Sequence, residues 1–286
     1  MVKSLVYSLF ILLAGLLFWQ CQATIADPEI ETVYIVNAYL YTGRSIDSVF
    51  ISRNTDVMQP YTYEGAAVTA DSVIIIANGH RFRLEEHHSR RGAYYLPADS
   101  HLVTPGFTYG LRVHIGSHLV SAETVAPDTV AITDQTVDTT YFPYPNPFRA
   151  KTIRVSWAPA DFAAGYDISV ICRTPRQLVD IGFEHLIAQL LEQNDYDTLG
   201  TFPPVRDFPV ADTETSSEIF WDSFYYYGDY TIKVYAVDNN LWDLASSNIV
   251  YQGQDSEYEQ PAYNIEGGYG LFAALSVDST HVHILK

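Results

Sequence analysis

Glu85-Glu86-His87-His88 sets four metal-capable side chains in succession, and His281 with His283 offers two more imidazoles at strand spacing. Zinc takes nitrogen, sulfur and carboxylate ligands that converge from one side. Consecutive strand residues point to opposite faces, so at most alternate members of the first group could share an ion; His281 and His283 share a face. No third ligand at a recognisable spacing accompanies either group, so solvated histidines are the expectation and no metal site is assigned. Asp238, Asn240 and Asp243 carry oxygens that calcium favours, but the run lacks the twelve-residue loop with its closing glutamate. The default for Asp238-Asn239-Asn240 is turn chemistry.

Nucleophile motifs are absent: there is no G-x-S-x-G, no glycine-rich phosphate loop and no H-E-x-x-H. The chain reads as non-catalytic, with no cofactor. Binding chemistry is better represented, by Phe220, Trp221, Phe224, Tyr225, Tyr226 and Tyr227. Strand alternation buries about half of such a run. Core packing is the default for these rings; the alternative is a platform for a sugar or protein, carried by Trp221, Tyr225 and Tyr227.

The elements that would position these groups are mostly strands. The 286 residues include 22 Tyr and 14 Phe, with much Val, Ile and Thr, a composition that suits strands. Residues 28–132 give short alternating segments, among them Thr32 to Tyr41 and Ala67 to Ala77. Asn78-Gly79 between two such runs predicts a type I′ hairpin, because both central residues of that turn need positive φ. One helix is predicted over 176–196, with Leu178, Ile181, Leu186, Ile187, Leu190 and Leu191 on one face and Pro175 before it. It is expected to lie on its own sandwich; docking a partner is the alternative.

Thirty-four acidic against sixteen basic residues give a formal charge of -18. Such a surface repels phosphate backbones, which excludes nucleic-acid partners. Lys3, the apolar run Leu5 to Trp19 and then Cys21 have the order of an export signal, with an apolar core too short for a comfortable spanning helix. Cys21 is the expected lipidation site, although Gln20 is larger than the usual residue before such a cysteine; cleavage after Ala23 or Ala26 would instead release a soluble secreted protein. The other cysteine, Cys172, reads as a small buried hydrophobe.

Ile153-Arg-Val155-Ser-Trp157, Gly165-Tyr166-Asp-Ile168-Ser-Val170 and Tyr230-Thr-Ile232-Lys-Val234-Tyr-Ala236 resemble a fibronectin type III domain. The resemblance implies a core role for Trp157 and a hydroxyl tied back to backbone for Tyr230. Alternation expects Tyr230, Ile232, Val234 and Ala236 inward and Thr231, Lys233 and Tyr235 in water. With Pro105-Gly106, Tyr109, Leu111 and Val113 in the first half and Asn264-x-Glu266-Gly267-Gly268-x-Gly270-x-Phe272 near the end, the whole chain resembles a family of envelope lipoproteins of Gram-negative bacteria built on a domain without assigned function. That resemblance implies an outer-membrane location and an accessory role beside TonB-dependent receptors.

The expected organisation is therefore an all-β protein of two β-sandwiches, one immunoglobulin-like and one fibronectin type III-like. In order these are a signal peptide over 1–20, a tether over 21–31, the first sandwich over 32–135, the second over 150–250 with its helical insertion, and a glycine-rich segment with short strands over 251–286. The expected work is binding or scaffolding at the outer membrane. The alternative is capture of a glycan or peptide for uptake.

Overall fold

The computed structural model describes residues 31–56, 60–97, 101–143, 150–174, 177–178, 205–210, 214–250 and 262–286. The predicted signal peptide, Cys21 and the predicted helix over 176–196 lie outside the described residues, apart from Gln177–Leu178, a short strand. Residues Val33–Lys286 cluster as one contact unit.

In chain order the first strands are β1 (Tyr34–Tyr41), β2 (Val49–Arg53), β3 (Ser72–Ala77), β4 (His80–Arg83), β5 (Glu85–Glu86), β6 (Ala93–Tyr95), β7 (Thr108–Ile115) and β8 (His118–Val125). A four-residue helix, α1 (Tyr63–Ala66), follows β2. Then come β9 (Ala131–Gln135), β10 (Thr139–Tyr141), β11 (Ile153–Ala158), β12 (Gly165–Cys172), β13 (Gln177–Leu178), β14 (Val205–Val210), β15 (Ser216–Ile219), β16 (Tyr226–Val237), helix α2 (Asn239–Val250) and β17 (Tyr269–Leu285).

Among the described residues the largest sheet has ten strands, ordered β14-β12-β16-β17-β1-β2-β6-β5 with β10 and β13 off that path. A four-stranded sheet, β4-β3-β7-β8, and a three-stranded sheet, β15-β11-β9, are separate from it. Strand alternation turns one face of each small sheet inward, and two apolar cores result. Val73, Ile75, Tyr109, Leu111 and Val113 pack with Val36, Leu40, Ile51 and Phe272 in one. Val155, Trp157, Ile168, Val170, Tyr230, Ile232, Val234 and Ile284 meet in the other. The protein is thus a pair of β-sandwiches that share one long sheet.

The shared element is β17. Its first part runs parallel to β1, from Ile35 opposite Tyr269 to Tyr41 opposite Leu275, and its remainder runs antiparallel to β16, from Val237 opposite Leu275 to Gly228 opposite Ile284. Leu275 is the point where pairing passes from one sandwich to the other. The two short runs expected in 251–286 are instead this single seventeen-residue strand. At about 3.3 Å per residue it extends roughly 55 Å.

Asn78 (φ 47°) and Gly79 (φ 78°) turn β3 into β4 as the hairpin signal requires. Trp157 is 2% exposed and its ring lies 5.2 Å from that of Tyr166. Tyr230 is equally buried; its hydroxyl donates to the Tyr226 carbonyl and accepts from the Tyr226 amide, both at 2.8 Å. One face assignment is corrected. Thr231 is buried, because Arg173 Nε donates to its hydroxyl and His281 Nδ1 lies 3.2 Å from the same oxygen, which covers the expected water face.

Candidate functional site

Apart from Phe220, which is 61% exposed, the aromatic run is core, and the platform expected of Trp221, Tyr225 and Tyr227 is corrected. Trp221 is 6% exposed, Tyr227 8%, and Tyr225 packs half-buried against the second core. A 3-10 turn at Trp221–Ser223 breaks the alternation that would have put half the rings outside. Phe142 then inserts edge-on between them, its ring centre 5.7 Å from Trp221 and 6.2 Å from Tyr227. Trp221 Nε1 donates to the Lys151 carbonyl at 3.0 Å, which satisfies its one polar atom. Outside this run, Tyr263 and Tyr269 meet edge to face at 5.8 Å, and each is nearly half exposed.

Asp238, Asn240 and Asp243 lie at the start of α2, a helix that the turn reading of this segment missed. Asp238 is its N-cap, with Oδ1 accepting from the Leu241 amide at 2.9 Å. Oδ2 accepts from the Thr124 hydroxyl on β8, so the cap of the second sandwich is held by the first. Burial raises the Asp238 carboxyl above its usual value, against the opposing pull of the Thr124 and Leu241 donors. Asn240 Nδ2 donates to the Glu123 carbonyl at 2.8 Å and the Phe272 carbonyl at 3.1 Å. Asp243 is exposed on the helix. These groups join two sheets. The available signal was an N-cap aspartate followed by apolar Leu241, Trp242, Leu244 and Ala245.

The terminal glycine motif serves the same junction. Asn264 Oδ1 accepts from the Phe272 amide, while its Nδ2 donates to the Phe272 and Glu123 carbonyls. Glu266 exchanges backbone hydrogen bonds with Ser121, and its Oε2 accepts from the Ser121 hydroxyl. Gly270 has φ +115°, and a Cβ there would collide with the Val36 carbonyl; one at Gly268 would lie 2.8 Å from the Tyr34 carbonyl. Only glycine lets these backbones approach so closely.

The histidine groups are also engaged. Glu86 Oε1 accepts from Thr69 and from the Gly92 amide, and His87 packs edge-on to Tyr95. His283 Nδ1 lies 2.5 Å from Asp229 Oδ1. Among the described residues no three His, Cys, Asp or Glu gather to hold a metal ion. Cys172 is buried, and burial raises its thiol.

A hollow of about 790 Å³ lies on the outward face of the β4-β3-β7-β8 sheet, with Gly110, Ile76, Arg112, Glu123, Asn264 and Glu266 around it. A smaller one of about 310 Å³ sits at the junction, beside Thr124, Phe162, Asp238 and Asn240.

The profile of a family described as a domain of unknown function (DUF4249) matches residues 24–281, and the chain belongs to that family. No curated protein matches it. Among solved structures, the FN1-FN3 domains of chicken CNTN1 are 14% identical, covering 88% of this chain and 66% of that one, at a TM-score of 0.28. A two-domain fibronectin type III segment of chicken tenascin is 12% identical, covering 73% and 93%, at 0.23. A 1.5-MDa bacterial ice-binding adhesin, described for host cell surface retention, is 10% identical, covering 89% and 65%, at 0.23. The chain spans just under two thirds of the CNTN1 and adhesin chains.

Proposed function

We propose that this DUF4249 protein is an envelope lipoprotein, anchored through Cys21 at the outer membrane, that binds or scaffolds a protein partner and acts beside a TonB-dependent receptor. The observation that carries the binding role is the use made of the polar side chains. Asp238, Asn240, Asn264 and Glu266, the groups with the most chemistry to offer, fasten one sandwich to the other. What the body presents outward is a rigid, strand-built surface, suited to recognition. The anchor is supported by the apolar run followed by Cys21, and the receptor by the family resemblance. A sugar-stacking role for Trp221 and Tyr227 has no open ring face to use.

Fractionation of cells expressing Cys21→Ala tests the anchor: the variant should move to the soluble fraction, and unchanged membrane retention overturns it. Cross-linking of the intact protein in native membranes tests the receptor. A TonB-dependent receptor should be recovered with wild type and lost with Cys21→Ala; its absence from both overturns that assignment.

A further inference from the structure

The outward face of the four-stranded sheet is patterned as though a matching surface lay against it. Strand register fixes two rows. Arg81, Ile76, Gly110 and Glu123 lie side by side across β4, β3, β7 and β8, and Arg83, Ile74, Arg112 and Ser121 form the next row. Positive charge sits at the β4 end. Negative charge sits at the β8 end, where Glu123 is exposed and Glu266 is bonded to Ser121. Among the described residues, Arg81, Arg83 and Arg112 have no carboxylate within ion-pair distance. That is unexpected on a chain with 34 acidic side chains. Charged residues commonly blunt an edge strand, which accounts for Arg81 and Arg83 on β4. It does not account for the opposite charge, Glu123, at the other end of the first row.

Gly110 gives the second, independent observation. It sits in the middle of β7, where glycine weakens a strand and marks close approach of another chain or ligand. Gly267 and Gly270 have positive φ and neighbouring carbonyls that exclude a side chain. Gly110 has neither constraint: a Cβ there would meet only Ile76, its side chain at 3.8 Å and its carbonyl at 4.0 Å, both ordinary contacts. The fold does not require the glycine. It leaves a hollow beside the outward-facing Ile76.

We propose that this face pairs with the same face of a second copy, about a two-fold axis passing between β3 and β7. That operation lays β4 of one copy over β8 of the other. Arg81 then meets Glu123 of the second copy, Arg83 meets its Ser121 and Glu266, and Ile76 enters the hollow left by its Gly110. An isologous interface requires a self-complementary surface, and the first row, cation, apolar, gap, anion, has that property; in the second row the aliphatic stem of Arg112 lies over Ile74 of the second copy while its guanidinium stays in water. The dimer is separate from the recruitment of a receptor, which a monomer could perform equally well.

The test is the mass of the full chain in detergent by sedimentation equilibrium. Wild type should associate to twice its own monomer mass. Arg81→Glu and Glu123→Arg each oppose like charges twice across the axis and should each weaken association tenfold or more, since a facing like-charge pair costs several kcal/mol. Gly110→Leu, which fills the hollow, should do the same. Unchanged circular dichroism and thermal midpoints would show that the variants remain folded. The decisive measurement mixes Arg81→Glu with Glu123→Arg: both cross-axis pairs become attractive, so a heterodimer should form from two chains that do not self-associate. A monomeric wild type, a dimer indifferent to all three single variants, or a mixture that stays monomeric overturns the proposal.

Discussion

The carboxamides of Asn240 and Asn264 donate to the same two carbonyls, those of Glu123 and Phe272. One amide comes from helix α2 and the other from the segment leading into β17, so each carbonyl receives a donor from either side. This doubled clamp joins β8 to β17, strands of different sheets.

The shared acceptors make the two asparagines interdependent. Asn240→Ala or Asn264→Ala alone leaves one donor in place and should lower unfolding free energy by about 1 kcal/mol. The double variant leaves both carbonyls without a side-chain donor and should cost more than the sum. Chemical denaturation of all four proteins measures the coupling, and strict additivity would contradict the clamp.

Asp238 gives the junction a pH dependence of defined sign. Burial raises its folded-state pKa above the reference value of 3.8. The folded protein therefore holds this proton more tightly than the unfolded chain. Its contribution is full below the unfolded pKa and is lost as pH rises through the folded one. Asp238→Asn keeps a competent helix cap without the titration. The stability of wild type relative to this variant should fall as pH rises from about 4, measured by thermal or urea unfolding across that range; a constant difference would mean that the carboxyl does not titrate as described.

Tyr230→Phe should remove a packed hydroxyl that serves both polar groups of Tyr226. The Tyr226 amide and carbonyl lose that partner, at a cost of about 1 to 3 kcal/mol. Loss of denaturation midpoint with an unchanged m-value is the expected signature.

Gly270→Ala places a methyl group against the Val36 carbonyl at φ +115°. Backbone strain and displacement of β1 should together cost about 3 kcal/mol or more. Gly43, whose added Cβ meets nothing within 4 Å despite φ +77°, is the control: Gly43→Ala should cost only about 1 kcal/mol.

Much of this architecture was legible in the sequence where the determinant is local. Asn78-Gly79 specifies its own turn, and alternation around Val155, Trp157, Ile232 and Val234 predicts their inward faces. Legibility ended where a distant segment decides the outcome. Trp221 and Tyr227 are buried because Phe142, some eighty residues earlier, fits between them. Thr231 is dry because Arg173, just past the end of β12, and His281 on β17 reach it. Asp238 looked like turn or calcium chemistry because its partner Thr124 lies 114 residues away. The glycine motif could be seen in the sequence, but only the backbones of β1 and β8 beside it explain its spacing.

Strand β17 also imposes an order of events. A ribosome delivers residues 269–285 after every other described strand, yet Phe272 and Ala274 complete one interior while Val282 and Ile284 complete the other. Until that segment emerges, both halves remain open, however long the earlier strands have waited. A polypeptide interrupted before residue 269 leaves two unfinished interiors instead of one good half, so this topology makes full-length synthesis a condition of closing either.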